Sequence, residues 1–173
     1  MESNGKSVTL DGEPLALQSS PIVWGGIGTD AQHAVFQLLH QGSHLVPVEF
    51  LAVVEPGHSL GPAHHHGLLL NCFAQGAALM AGKKSDDSHR NYPGDRPSVT
   101  ILLEDLEARS LGALLAFYEH RTFVNAVLLN INPFDQFGVE LGKQMANALA
   151  ADDGNRLDAS TEELKKRAFG PGQ

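Results

Sequence analysis

The chain has 173 residues, 42% of them hydrophobic, and a formal net charge of -8 at pH 7, which suits one globular domain with a packed core. Its 12 basic residues are scattered apart from Lys165, Lys166 and Arg167, so no basic stripe invites nucleic acid. The single cysteine, Cys72, excludes an intrachain disulfide and sits in an apolar stretch that favours a small buried thiol. No apolar run approaches the ~18 residues of a membrane span and no basic-then-apolar leader opens the chain, so the expected compartment is the cytosol. Met1 leads straight into Glu2-Ser3-Asn4-Gly5-Lys6, and so abrupt a start is expected of a chain whose upstream part is missing.

Residues 7–20 are turn-rich and have room for one short hairpin. Pro21-Ile22-Val23-Trp24 is expected to be a buried strand running into Gly25, Gly26 and Gly28. A helix follows, with Thr29-Asp30-Ala31-Gln32 as its capping box and Gly42 as its stop. Leu45 to Val54 is strand-like. The next helix runs from Pro62 to Ala81, with Leu69, Phe73, Gly76 and Met80 at helical spacing. Asp86 to Pro97 reads as an exposed loop, and Val99 to Leu103 as a strand. Three helices complete the chain: Ser110 to Val124, Asp135 to Asp152, and Ser160 to Arg167, the last capped by Ser160-Thr161-Glu162-Glu163. Alternating strands and helices imply an α/β fold, a parallel sheet covered on both faces, with ligands at the carboxyl ends of its strands.

Gly26-Ile27-Gly28-Thr29-Asp30-Ala31 fits G-x-G-x-x-A, and Glu49 stands about where a dinucleotide fold places its ribose acid. Nicotinamide binding, a plain tight turn, and another anion or sugar site all remain open on this motif alone. Glycines let a backbone approach a ligand, and a helix N-terminus favours oxygen-rich groups. Gln32 and His33, expected in the first helical turn, put an imidazole where a pyrophosphate site wants bare backbone.

Gly28-Thr29-Asp30-Ala31-Gln32-His33-Ala34, continuing to His40-Gln41-Gly42, closely resembles the G-T-x-x-Q-H-A-x-x-Q-L-x-H-Q-G segment of the glucose-6-phosphate isomerase family. Met1 to Lys6 looks like that family's M-E-S-N-G-K, and Phe134 to Lys143 is similar to its F-D-Q-x-G-V-E-L-G-K signature. The resemblance spans nearly the whole chain, with the blocks in the family's order. It implies a three-layer α/β/α sandwich with a mostly parallel, flavodoxin-like sheet, the sugar-isomerase domain. Residues 1–173 would be most of the C-terminal such domain plus C-terminal helices. The N-terminal phosphate-binding domain would be absent, and with it an Arg and a further Gln of the family's site.

The activity implied is interconversion of glucose 6-phosphate and fructose 6-phosphate in glycolysis and gluconeogenesis, without a cofactor, by a cytoplasmic homodimer. Such isomerisation moves a proton between neighbouring carbons through an enediolate. By resemblance Glu2 is the carboxylate that shuttles it. His33, supplied across the dimer interface, and Lys143 open the sugar ring, since imidazole exchanges protons near neutral pH and an ammonium can protonate the ring oxygen. Gln136 would hydrogen-bond the substrate, and Gly26 and Gly28 would let it approach. Gln136 and Lys143 are seven residues apart, hence only about 20° apart around a helix, with Glu140 beside them. Phe137, Leu141, Met145 and Ala148 make the opposite, apolar stripe, on which the helix is expected to pack.

His64, His65 and His66 invite a zinc reading, but consecutive helical residues fan out by ~100° and cannot close on one ion. No metal is expected, and His40, His44, His58, His89 and His120 are taken as structural. The alternative function is a non-catalytic sugar-phosphate-binding module of the same fold, which would have no need of a base, an imidazole and an ammonium together. Alone, the chain is expected to be inactive and to expose apolar surface.

Overall fold

The computed structural model describes residues 1–151 and 158–170. In chain order the elements are α1 (Gly28–Gln41), β1 (Val48–Val53), α2 (Pro62–Ala81), β2 (Ser98–Leu103), α3 (Ala108–Leu129), α4 (Phe137–Ala151) and α5 (Ala159–Phe169), with a 3-10 turn over Ser88–Arg90. Strands β1 and β2 pair in parallel, Val48 opposite Ser98 and Val53 opposite Leu103. The crossover between them is α2, as parallel pairing requires of a connection.

Period-two alternation sorts β1 into two faces. The Phe50 ring and the Ser98 hydroxyl each lie 3.8 Å from where a Cβ on Gly76 of α2 would stand. Phe50 also meets Phe36 of α1, ring centroids 6.4 Å apart. The neighbouring Glu49 points the other way, where its carboxylate takes the Tyr118 hydroxyl hydrogen bond and an ion pair from Arg121 at 2.8 Å, both from α3. The order is therefore α1 and α2, then sheet, then α3: three layers with two strands among the described residues. Buried Leu39, Leu79 and Ala52 belong to α1, α2 and β1, and a second buried pair, Ala126 and Ile131, closes the end of α3. His40 packs between the helices, Nε2 at 3.0 Å from Gln75 Oε1 and its ring edge-on to Tyr92.

Several expectations are corrected. Pro21 to Trp24 forms no strand: Ile22 is 86% exposed, and among the described residues no strand pairs with the segment. Helix α1 starts at Gly28, so Thr29 is already inside the first turn and cannot cap it; the N-cap is Ile27, with no side-chain bond. His33 thus falls in the second turn. The cap of α5 is Asp158, which accepts from Thr161 N at 3.0 Å and Thr161 Oγ1 at 2.7 Å. Helix α3 outruns its expected end at Val124 to Leu129, where Asn130 takes the left-handed conformation with φ 53°. The end expected for α4 at Asp152 lies outside the described residues. Cys72 is half-buried, and burial pushes its thiol pKa up.

The segment expected as an exposed loop is tied down at both ends. Arg96 donates to the carbonyls of Gly42 at 2.7 Å and His44 at 3.2 Å, and Gln41 donates to those of His89 and Asn91. The backbone of Asp95 and Arg96 bonds to Met80 and Leu79 of α2. This docking needs Gly82 and Gly94 packed against each other, at φ 60° and 70°. A Cβ on Gly82 would stand 2.4 Å from Gly94 N. Gly82→Ala is therefore expected to destabilise the chain by about 3 kcal/mol or more in urea unfolding, combining a glycine-only backbone with a backbone clash; a loss below about 1 kcal/mol would contradict the packing.

Most of the apolar stripe of α4 is left uncovered by the described residues, only Ala148 being half-buried. Phe137 is 68% exposed and Leu141 and Met145 are also exposed, while Lys165 Nζ of α5 donates to Leu149 O near the far end of α4 at 3.0 Å. Leu111 and Leu115 of α3 are likewise open. The whole chain exposes 13430 Å², against about 8,200 Å² for a compact monomer of its mass. Apolar surface on this scale is expected to drive association in solution; sedimentation as a monomer at high concentration would refute that.

Candidate functional site

The first turn of the chain, where Glu2 stands, is tied to the rest of the fold by hydrogen bonds. Gly5 N closes it onto Glu2 O at 3.2 Å. Asn4 is buried, and its Nδ2 donates to Thr122 O of α3 at 3.0 Å. Lys6 Nζ donates to Ser3 O at 2.7 Å and, across the fold, to Asp135 O at 2.8 Å, with Asp135 Oδ1 at 3.3 Å. Asp135 is fixed in turn, its Oδ2 accepting from Asn132 Nδ2 at 2.7 Å while Asn132 Oδ1 accepts from Phe134 N. Residues 7–15 form the expected hairpin, a bridge between Val8 and Pro14, and Leu10 N bonds to Asn130 O at the end of α3.

These bonds bring the block carrying Glu2 against the block carrying Gln136. Gln136 is half-buried just before α4, with its carbonyl accepting from Val139 N. Two turns on, about 10 Å along the axis, Lys143 is exposed and its side chain makes no hydrogen bond or ion pair among the described residues. The Glu2 carboxylate is likewise exposed and unpaired there.

The glycine turn leaves from beside the same block. Lys6 N bonds to Ser19 Oγ at 3.2 Å, and Val23 N lies 3.0 Å from Met1 Sδ. Gly26 is three residues further on, within about 11 Å of Val23 along the backbone. Gly26 and Gly28 are exposed, and among the described residues nothing beyond their chain neighbours and the backbone of α1 comes within 4 Å of a Cβ built on either; their openness is free space rather than strain. His33 is exposed on α1 and unbonded among the described residues. The three consecutive histidines fan out as helical geometry demands. His65 turns inward, Nε2 at 3.0 Å from Val53 O and 2.9 Å from Val54 O at the carboxyl end of β1, while His64 and His66 face outward. Among the described residues no group of three metal-ligating side chains converges, and no helix is long and apolar enough to cross a membrane.

Parallel strands joined by a helical crossover, with a helix on each face, make this an α/β domain of the layered kind. Residues 1–164 match the sequence model of the Phosphoglucose isomerase family. The glucose-6-phosphate isomerase of Sphingopyxis alaskensis is 68% identical over 170 residues, covering 98% of this chain and 34% of that protein. That of Novosphingobium aromaticivorans is 68% identical over 164 residues, 95% of this chain and 32% of the relative. The crystal structure of a glucose-6-phosphate isomerase from Chlamydia trachomatis matches with a TM-score of 0.87 at 35% identity, over 97% of this chain and 34% of that one. The chain belongs to the phosphoglucose isomerase family, and it spans about a third of the length of these relatives.

One residue outside the predicted set stands out on electrostatic grounds. Glu49, the candidate ribose acid of the dinucleotide reading, has one carboxylate oxygen taken by Tyr118 and the other by Arg121, on the α3 side of the sheet. It is a fastener between layers, and Arg121 also lies over the Tyr118 ring, 4.6 Å from its centroid. Burial raises the Glu49 pKa, but the bonds from Tyr118 and Arg121 and the Arg121 charge outweigh it and hold the carboxyl below its ordinary value. The Tyr118 hydroxyl is pushed up to about 12, by burial first and then by Glu49. A raised pKa means that the folded state favours the protonated phenol. Its stabilisation is whole below the ordinary value of 10 and is lost as pH climbs to about 12. Tyr118→Phe removes this titration. The stability gap between parent and variant, followed by urea unfolding against pH, is expected to close across that window; a gap unchanged by pH would show that the phenol makes no such contribution.

Proposed function

We propose that this chain supplies the base and ring-opening groups of a glucose-6-phosphate isomerase, interconverting glucose 6-phosphate and fructose 6-phosphate. Glu2 takes the proton from C2 of the open-chain aldose, an enediolate forms, and the same carboxyl returns the proton to C1. One carboxylate suffices because the two carbons are neighbours. Lys143 protonates or holds the ring oxygen as the ring opens, and His33 takes part as acid and base. Gln136 hydrogen-bonds the sugar, and the Gly26 and Gly28 backbone lets it approach. No cofactor enters the chemistry.

The observation that carries this reading is the binding of the Glu2 block to the Gln136 block through Lys6 and Asp135, with the Glu2 and Lys143 side chains unpaired among the described residues. Neither side chain is committed to the fold, which leaves both available to a substrate. The relatives are about three times as long, and the part beyond this chain is where the substrate phosphate would be held. A homodimer is the assembly in which His33 would reach a neighbouring site, and the cytoplasm is the compartment that fits a glycolytic enzyme.

Transition-state binding through the phosphate is unavailable to the chain alone, so its own turnover is expected to be negligible. In a chimera where residues 1–173 replace the matching segment of the Sphingopyxis alaskensis relative, isomerase activity is expected to appear. Glu2→Gln in that chimera is expected to lower kcat at least about a hundredfold. Retained turnover in Glu2→Gln would overturn the assignment of the base and favour a sugar-phosphate-binding role for this segment.

A further inference from the structure

Lys6 is the most enclosed charged side chain of the site region, 17% exposed, and its partner Asp135 is 23% exposed. Two of its N–H groups go to carbonyls, Ser3 O at 2.7 Å and Asp135 O at 2.8 Å, and its charge faces Asp135 Oδ1 at 3.3 Å. Ser3 follows Glu2 directly, and Asp135 precedes Gln136 directly. The ammonium thus grips the backbone one residue from the base on one side and one residue from the substrate hydrogen-bonder on the other. With its donors committed to main-chain oxygens, it is poorly placed to exchange a proton with a sugar. Flexible surface lysines do not span two segments 129 residues apart in this way.

We infer that Lys6 is a positioning residue: it sets the distance between the Glu2 carboxylate and the Gln136 and Lys143 side of the pocket, so that proton transfer depends on a group that does not touch the sugar. This rests on the reading of Glu2 as the base. The effect falls on turnover more than on binding, because an aldose can still be held while the base stands off its C2 proton. A displacement of about 1 Å at a reacting pair can cost on the order of a hundredfold in rate. The neighbouring Asn4, anchored to Thr122, keeps the turn attached to α3 when Lys6 is altered, so the lesion in turnover should be one of placement.

The test uses the same chimera. Lys6→Met keeps the length of the side chain and removes its donors and charge; kcat measured well below the melting temperature is expected to fall tenfold or more with KM within about twofold, while the melting temperature falls because Asp135 Oδ1 is left buried without its ion-pair partner. Asp135→Asn retains an accepting oxygen and the main-chain carbonyl, and is expected to lower kcat only about threefold, again with KM held. An unchanged kcat in Lys6→Met, or a fall in kcat matched by a rise in KM, overturns the inference. If Lys6→Met does not fold, Asp135→Asn decides: kcat equal to the parent's overturns it. Glu2→Gln measured alongside separates the two levels. Failure of the base assignment shows as turnover surviving Glu2→Gln, whereas failure of the tether shows as a dead Glu2→Gln beside an unimpaired Lys6→Met.

Discussion

A single ammonium group joins the two ends of the described site. Lys6 is largely shielded from water, and its bonds reach the segment just ahead of α4. At the surface such a pair would contribute little, since solvent screens the charges and two long side chains lose freedom in meeting. Partial enclosure and the use of main-chain carbonyls change that balance. The acceptors are already held in place by the turn at residues 2–5 and by the Asn132–Asp135 bond, so only the lysine has to be ordered. Everything the candidate site brings together, the Glu2 turn, Gln136 and the base of α4, depends on this grip and on the Asn4 anchor beside it.

Polar fastening of this kind recurs because the apolar core is small. Leu39, Ala52, Leu79, Ala126 and Ile131 are the buried apolar residues described, too few to set every helix by packing alone. The layer of α3 is fixed to the sheet by Glu49 with Tyr118 and Arg121, and the end of α1 by Arg96 and Gln41. His65 closes the carboxyl end of β1. Each of these replaces a hydrophobic contact with directional bonds, whose worth rises where water is partly excluded.

The exposed apolar stripes of α3 and α4 explain why the core is thin. Helices with a clear apolar face bury it against something in a finished protein, and here those faces are open. The family relatives are about three times as long as this chain, and the open faces and unpaired candidate residues have one thing in common: their complements are not found among the residues described here.

The sequence alone determined the element order from α1 onward, because apolar periodicity and the Gly and Pro punctuation act over a few residues and need no partner. Helix α2 begins at Pro62 and ends at Ala81 as expected, since Pro suits a first helical position and Gly82 alone tolerates the backbone beyond. It determined the family as well, through three motifs in order. Cap identities at Ile27 and Asp158, the failed strand at Pro21 to Trp24, and the open stripe of α4 were decided by tertiary structure. A cap depends on where a neighbouring element lets the helix start, and a strand on an edge to pair with, neither of which is written in local pattern. The roles of Lys6 and Glu49 were hidden for the same reason: a charged residue looks like solvated surface until the fold brings its partner from the far end of the chain.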